Sequence, residues 1–167
     1  MNNFPSFNTI APVTTEILDV SPDCDIVTSR VVSAPIEVVF RAWTEPRHLE
    51  RWWGPAGFTN SFKEFDLRPG GKWSFIMHGP DKGNYANECV FIKIEKPVLI
   101  AWYRLSKPIF QVVASFEEIT IDRTKVIFKM LFESADECGK VKGFAPEKNE
   151  ENFDRLEDEL HFMATQK

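Results

Sequence analysis

No stretch of the 167 residues holds about 18 consecutive apolar side chains, so no segment reads as crossing a membrane. The first residues lack a basic region followed by a long apolar run, and no secretory signal is visible. Cysteine is scarce. Cys24, Cys89 and Cys138 are widely spaced and odd in number, which fits a reducing cytoplasm better than a disulfide framework. Histidine is equally scarce: His48, His78 and His161 show no His-x-x-x-His spacing, so no metal is expected. The glycine-containing turns hold neither Gly-x-Gly-x-x-Gly nor a Walker lysine, so no phosphate cradle and no cofactor are expected. Basic residues form no stripe, which argues against nucleic acid or an anionic membrane as partner.

Aromatic residues, by contrast, are abundant: 15 Phe and 5 Trp. Such a core is either tightly packed or lines a pocket. The net charge is −5, and residues 147–159 carry seven acids against Lys148 and Arg155, so the negative excess sits on one segment. That segment is helical by spacing. Asn149, Phe153, Leu156, Leu160 and Met163 fall at steps of 4, 3, 4 and 3, a single stripe over residues 147–164. Glu150, Glu151, Asp154, Arg155, Glu157, Asp158 and Glu159 flank it as a solvated face.

The stripe needs an apolar cover, and the middle of the chain supplies strands. Alternation and turn residues predict them over residues 25–32, 58–67, 73–78, 85–95, 98–105, 110–121 and 125–133. Phe65 and Leu67 lie on the opposite parity from Phe58 and Phe62, which leaves a bulge or an amphipathic ribbon open. Ser33 suits an N-cap for a short helix over residues 35–43, and Thr44 for a second with Pro46 in its first turn. A helical turn is expected near residues 135–141. Residues 1–22, with Pro5, Pro12 and Pro22, read as an extended or disordered leader that Phe4, Phe7, Ile10 and Val13 could pin to the surface. Residues 23–167 then form one α+β domain: a curved, mainly antiparallel sheet of about seven strands wrapped on a long C-terminal helix.

Several words in this sequence are shared with a known family. Residues 31–35 and 39–46 (Val-Val-Ser-Ala-Pro, then Val-Phe-Arg-Ala-Trp-Thr-Glu-Pro) are one. His48-Leu49-Glu50-Arg51-Trp52-Trp53-Gly54-Pro55 is another, and Gly70-Gly71 with Trp73 to Asp81 a third. In this order they resemble the family of homologues of the activator of heat-shock-chaperone ATPase, within the START-like, helix-grip superfamily. The likeness spans about residues 24–164. Two departures stand out: Lys82 precedes Gly83 in the hairpin, and Glu151-Asn152-Phe153 replaces the small pair usual near the last helix. The resemblance implies the helix-grip fold and, across the superfamily, lipid or polyketide binding, cyclase chemistry, metabolite sequestration or chaperone regulation. Fold alone selects none of these.

The residues expected to contact a ligand between the sheet and the last helix are Trp73, Phe75, Met77, His78, Glu88, Phe91, Trp102, Arg104, Phe116, Phe153 and Leu156. Trp73, Phe75 and Met77 share a face and enter or miss a pocket together. His78, Glu88, Tyr103 and Arg104 are the polar tips that would orient a guest. Glu88 and Cys89 are neighbours on a strand, so one of them faces inward. An inward Glu88 becomes a candidate general base. Cys89 reads as an inert core thiol, with a nucleophile beside His78 as the alternative. No catalytic set is recognisable. The leading expectation is therefore a cytoplasmic binder of a small hydrophobic or aromatic molecule. A chaperone-ATPase regulator acting through its surface is the second reading, and a cyclase-like or hydrolase-like enzyme the third. Exposed strand edges leave a homodimer open.

Overall fold

The computed structural model describes residues 16–166. Its elements are β1 (Asp25–Val32), α1 (Ile36–Thr44), α2 (Pro46–Trp52), β2 (Thr59–Phe65), β3 (Lys72–His78), β4 (Asn84–Glu95), β5 (Leu99–Arg104), β6 (Phe110–Thr120), β7 (Arg123–Leu131), α3 (Ala135–Lys142) and α4 (Ala145–Ala164). The seven strands form one sheet in the order β1-β7-β6-β5-β4-β3-β2, with every neighbouring pair antiparallel. Short turns join β2 through β7 in sequence, and α1 and α2 carry the chain from one edge of the sheet to the other. α4 then crosses the concave face. Seven strands, two short helices after the first of them and a long last helix are the α+β helix-grip arrangement.

The helix starts differ slightly from the sequence reading. Pro35, not Ser33, occupies the N-cap position of α1. Glu45 occupies that of α2, while Thr44 turns its hydroxyl back onto the Phe40 carbonyl at 2.7 Å. Proline explains the second case: Pro46 suits the first helical position, where its missing N–H costs nothing, so the residue before it, Glu45, becomes the N-cap. The bulge in β2 lies between Phe62 and Glu64, and it lets Phe62 and Phe65 both pack on the core.

The core fills the space between the concave sheet face and α1, α2 and α4. Trp43, Trp52, Trp73, Phe91, Phe116, Phe132, Phe153 and Leu156 are its largest fully buried side chains apart from Leu49 and Ile100. A second, smaller cluster lies on the outer face, where Ile92, Ala101, Val113 and Leu131 are covered by Ile17, Leu18 and Val20. Gln111, wholly buried, fastens this cover: the Leu18 N–H donates to its Oε1 at 2.8 Å, and its Nε2 donates to the Glu16 carbonyl at 3.0 Å. The described end of the expected leader thus lies along the back of the sheet. Phe4, Phe7, Ile10 and Val13 lie outside the described residues.

Helix α4 buries Phe153, Leu156 and Leu160 as its stripe predicts. It also buries Glu159, which the sequence reading put on the solvated face. Glu159 takes a hydrogen bond with His48 Nδ1 at 2.8 Å and accepts one from Arg51 Nε at 2.7 Å, so α2 supplies partners that make burial of a carboxylate tolerable. Four residues earlier, Arg155 caps the end of α2. Its guanidinium donates to the carbonyls of Arg51, Trp53, Gly54 and Pro55 at 2.9–3.0 Å. On the other flank Arg30 of β1 bridges Glu150, Asp154 and Glu157, three acids of α4 that do stay in solvent. Three polar ties therefore set how α4 lies on the sheet and on α2.

Candidate ligand chamber

Strand pairing decides which side chains face α4. The register places Trp73 opposite Cys89, Cys89 opposite Arg104, and Arg104 opposite Phe110, so these four share the concave face. Phe75 and Asn87 form the next pair, and Trp102, Val112 and Met130 a second row. Between these rows and α4 lies a chamber of about 160 Å³. Trp53, Trp73, Phe75, Met77, Trp102, Phe110, Phe128 and Met130 give it aromatic and thioether walls, and Lys148, Asn149 and Asn152 of α4 face it from above. The chamber opens into a largely apolar vestibule of about 490 Å³, with which it shares Met77, Asn87, Arg104, Phe110, Lys148 and Asn149 among its walls.

The aromatic walls brace one another. Trp53 lies 5.5 Å from Trp73 and 5.6 Å from Trp102, ring centre to ring centre, both edge-to-face. Trp73 stacks on Phe75 at 4.5 Å. Such contacts favour fixed ring positions and so a preformed space. Gly54 closes the rim with a φ of +101° that a side chain would strain, and an added Cβ would stand 2.7 Å from the Met77 methyl. Its N–H donates to Asn152 Oδ1 at 3.1 Å.

Polar groups on the walls are few and mostly held. Arg104 donates through Nε to the Pro108 carbonyl at 3.0 Å, through one terminal nitrogen to the Lys107 carbonyl at 3.1 Å and through the other to Asn87 Oδ1. Burial pulls the Arg104 guanidinium below its ordinary value, a range in which arginine still keeps its charge. Asn149 donates to Thr28 Oγ1 at 3.3 Å. The indole N–H of Trp73 has no partner among the described residues.

Of the residues expected at a ligand site, Trp73, Phe75, Met77, Trp102 and Arg104 line the chamber. Phe91, Phe116, Phe153 and Leu156 are buried in the core but absent from its lining. His78 and Glu88 lie on the outer face, which corrects their place in the expected site. Strand alternation sets both: His78 follows the inward Met77, and Glu88 pairs with Ser74 while Cys89 pairs with Trp73. Outside, Ser74 donates to Glu88 Oε2 at 2.5 Å, and the His78 ring bonds to Ser61 and Asn84. Tyr103 packs into the outer cluster with the N-terminal segment. An inward general base at position 88 is therefore ruled out by register. The chamber lining holds neither a carboxylate nor an imidazole.

Cys89 lines the chamber, yet burial pushes its thiol up to about 12. At pH 7 a thiol so displaced is ionised to only about one part in 10⁵, which leaves almost no nucleophile. Cys138 is shifted upward as well, again by burial, and all three cysteines are free and buried. Folded protein at pH 7 is thus expected to resist a chromogenic disulfide reagent over an hour, and to titrate three thiols at once in 6 M guanidinium. Rapid labelling of one thiol in the native state would show a reactive cysteine.

Among the described residues no helix is long and apolar enough to cross a membrane, and no cluster of three His, Cys, Asp or Glu side chains is placed to hold a metal. Comparison with known proteins bears on the fold. A protein from Nitrosomonas europaea superposes with a TM-score of 0.78 at 18% identity, covering 87% of this chain and 99% of that one. A protein from Arthrobacter aurescens gives 0.78 at 22% identity, with 89% and 92% covered. One from Mycobacterium smegmatis gives 0.71 at 21%, with 93% and 99% covered. No curated protein sequence matches. The profile of one family covers residues 33–161, and with it the opening helices, the whole of β2 to β7 and most of α4. The chain belongs to that family, described as "Activator of Hsp90 ATPase homolog 1-like protein".

Proposed function

We propose that this protein binds a small hydrophobic molecule with an aromatic body, seated in the chamber under α4. The observation that carries the reading is the chamber itself: braced aromatic walls around about 160 Å³, with an apolar vestibule leading in. A void of similar size lined by apolar side chains stays dry and admits a single aromatic ring, about 150 Å³ in the standard case. Burying one ring there, with the rest of the guest in the vestibule, removes apolar surface from water at roughly 25 cal/mol per Å². The side chains offered for contact are Trp53, Trp73, Phe75, Trp102, Phe110 and Met130. Three free, buried thiols suit a cytoplasmic setting.

Titration with N-phenyl-1-naphthylamine, a neutral dye that brightens in apolar surroundings, tests the reading. Wild-type protein is expected to take up one dye with a micromolar Kd and to melt higher in its presence. Cys89→Phe puts a ring into the chamber beside Trp73 and is expected to weaken uptake at least tenfold. Overpacking of this kind costs about 1–3 kcal/mol, so the variant's melting temperature is measured alongside. Dye uptake unchanged in a folded Cys89→Phe variant would move the binding elsewhere. Failure to bind, together with stimulation of a purified heat-shock chaperone ATPase, would establish the regulator named in the family description instead.

A further inference from the structure

The chamber's charge says more about its guest than its shape does. The chain carries 25 acids and 20 lysines and arginines, a net charge of −5. Yet chamber and vestibule together are lined by Arg104, Lys107 and Lys148, and by no aspartate or glutamate. An acidic protein has lined this apolar opening with three cations and no acid.

Arg104 and Lys148, which line both spaces, keep capacity for an anion. Arg104 makes hydrogen bonds to Pro108, Lys107 and Asn87, all neutral acceptors, and no carboxylate pairs with it among the described residues. Three of its five N–H donors are spent, and two are left on a guanidinium plane already held in place. Lys148 stands on the first turns of α4, where the helix dipole disfavours a cation and only a weak i,i+3 pairing offsets it. Its ammonium is 3.8 Å from Glu151 Oε1, a long contact, and that oxygen also accepts from the Ala56 N–H at 3.1 Å. The same N-terminal turns of α4 face the vestibule through Ala145 and Asn149, adding the positive end of the dipole to the side-chain charges. Burying a guanidinium costs desolvation, which an anion bound at the rim would offset.

We propose that the guest is an aromatic carboxylate: one ring within the Trp and Phe walls, any fused second ring reaching into the vestibule, and a carboxylate at the rim between Arg104 and Lys148. This rests on the binding reading above and names the ligand class for that same site. Arg104 meets the carboxylate with its two free donors, and Lys148 supplies a second charge from α4. Binding then ties β5 to α4 across the opening.

The test is displacement of N-phenyl-1-naphthylamine from the full chain at pH 7.5 in low salt by 2-naphthoate and by 2-naphthamide. The two have the same rings and nearly the same shape and differ in charge. Naphthoate is expected to displace the dye at about one-tenth the concentration of the amide or less. Lys148→Gln and Arg104→Gln should each reduce that preference severalfold, weakening naphthoate much more than the amide. Arg104 also holds the turn at residues 107–108, so Lys148→Gln, at a half-exposed site, is the variant that keeps the fold intact. Equal displacement by acid and amide, or a preference unaltered in Lys148→Gln and in a folded Arg104→Gln, overturns the carboxylate proposal and leaves the binding reading standing. Absence of dye uptake, with no heat on calorimetric titration of naphthoate, overturns both.

Discussion

Trp43→Ala should lower the free energy of unfolding by about 4 kcal/mol, a large share of the roughly 5–15 kcal/mol by which domains are stable. Trp43 is 1% exposed. Its ring lies 4.8 Å from Trp52, 5.6 Å from Phe116 and 6.0 Å from each of Trp53 and Phe128, with Trp102 at 6.3 Å. Five rings lose a face when it goes, and the neighbours cannot collapse inward because they brace one another and the chamber wall. Trp43→Phe is expected to cost far less, about 1–2 kcal/mol. The indole N–H of Trp43 has no hydrogen-bond partner among the described residues, so phenylalanine removes a buried, unpaired donor along with part of the ring. Urea unfolding followed by circular dichroism measures both. A loss below 1 kcal/mol for Trp43→Ala, with an unchanged denaturant slope, would mean that the aromatic cluster is loosely packed.

That cluster was legible in the sequence at the level of elements and only partly at the level of faces. Alternation in β3 fixes Trp73, Phe75 and Met77 on one side, and by the same rule it sends His78 to the other; only turn proximity favoured His78. Tyr103 likewise follows Trp102 and so points outward. The Glu88–Cys89 choice is different. Both parities of β4 look plausible in isolation, because Asn87, Cys89 and Phe91 are set against Glu88, Val90 and Ile92. Pairing with Trp73 settles it, and that is a register fact no single strand contains. Val90 and Ile92 are apolar on the outer face because the N-terminal segment, with Ile17, Leu18 and Val20, covers that face around Ile92.

Trp53, Asn87, Asn149 and Asn152 line the chamber without having been named for it. Trp53 follows α2 on a loop, so its direction depends on how Arg155 and Asn152 hold residues 51–55. Asn87 could have been found: it shares parity with Cys89 and Phe91. Asn149 heads the stripe of α4, and a polar residue on an apolar stripe is the mark of a helix that faces something other than core. Glu159 carries the same mark. It lies seven residues after Asn152, two helical turns along the same side of the stripe, but in a segment of six other acids composition hid it.

Glu159→Ala is accordingly expected to cost about 3–5 kcal/mol, far beyond a surface acid. The side chain is 3% exposed and bonded at 2.8 Å to His48 and 2.7 Å to Arg51. Removing it leaves His48, itself 8% exposed, with Nδ1 buried and unpaired; Nε2 has no hydrogen-bond partner among the described residues and keeps only a 3.6 Å contact with Glu45 Oε1. Arg51, half exposed, can return to water. The penalty therefore belongs to the stranded partner more than to the lost bond. Two consequences separate this from a general weakening of α4. Glu159→Leu combined with His48→Leu should recover more than half of the loss of Glu159→Leu alone, because an apolar pair leaves nothing unsatisfied. High salt should leave the Glu159 effect intact, whereas Arg30→Met, which removes a bridge to three largely exposed acids, should cost only about 1 kcal/mol and less still in 1 M NaCl. A thermodynamic cycle in denaturant, run at low and high salt, measures both. Strict additivity of the Glu159 and His48 changes would show that the two side chains do not act together.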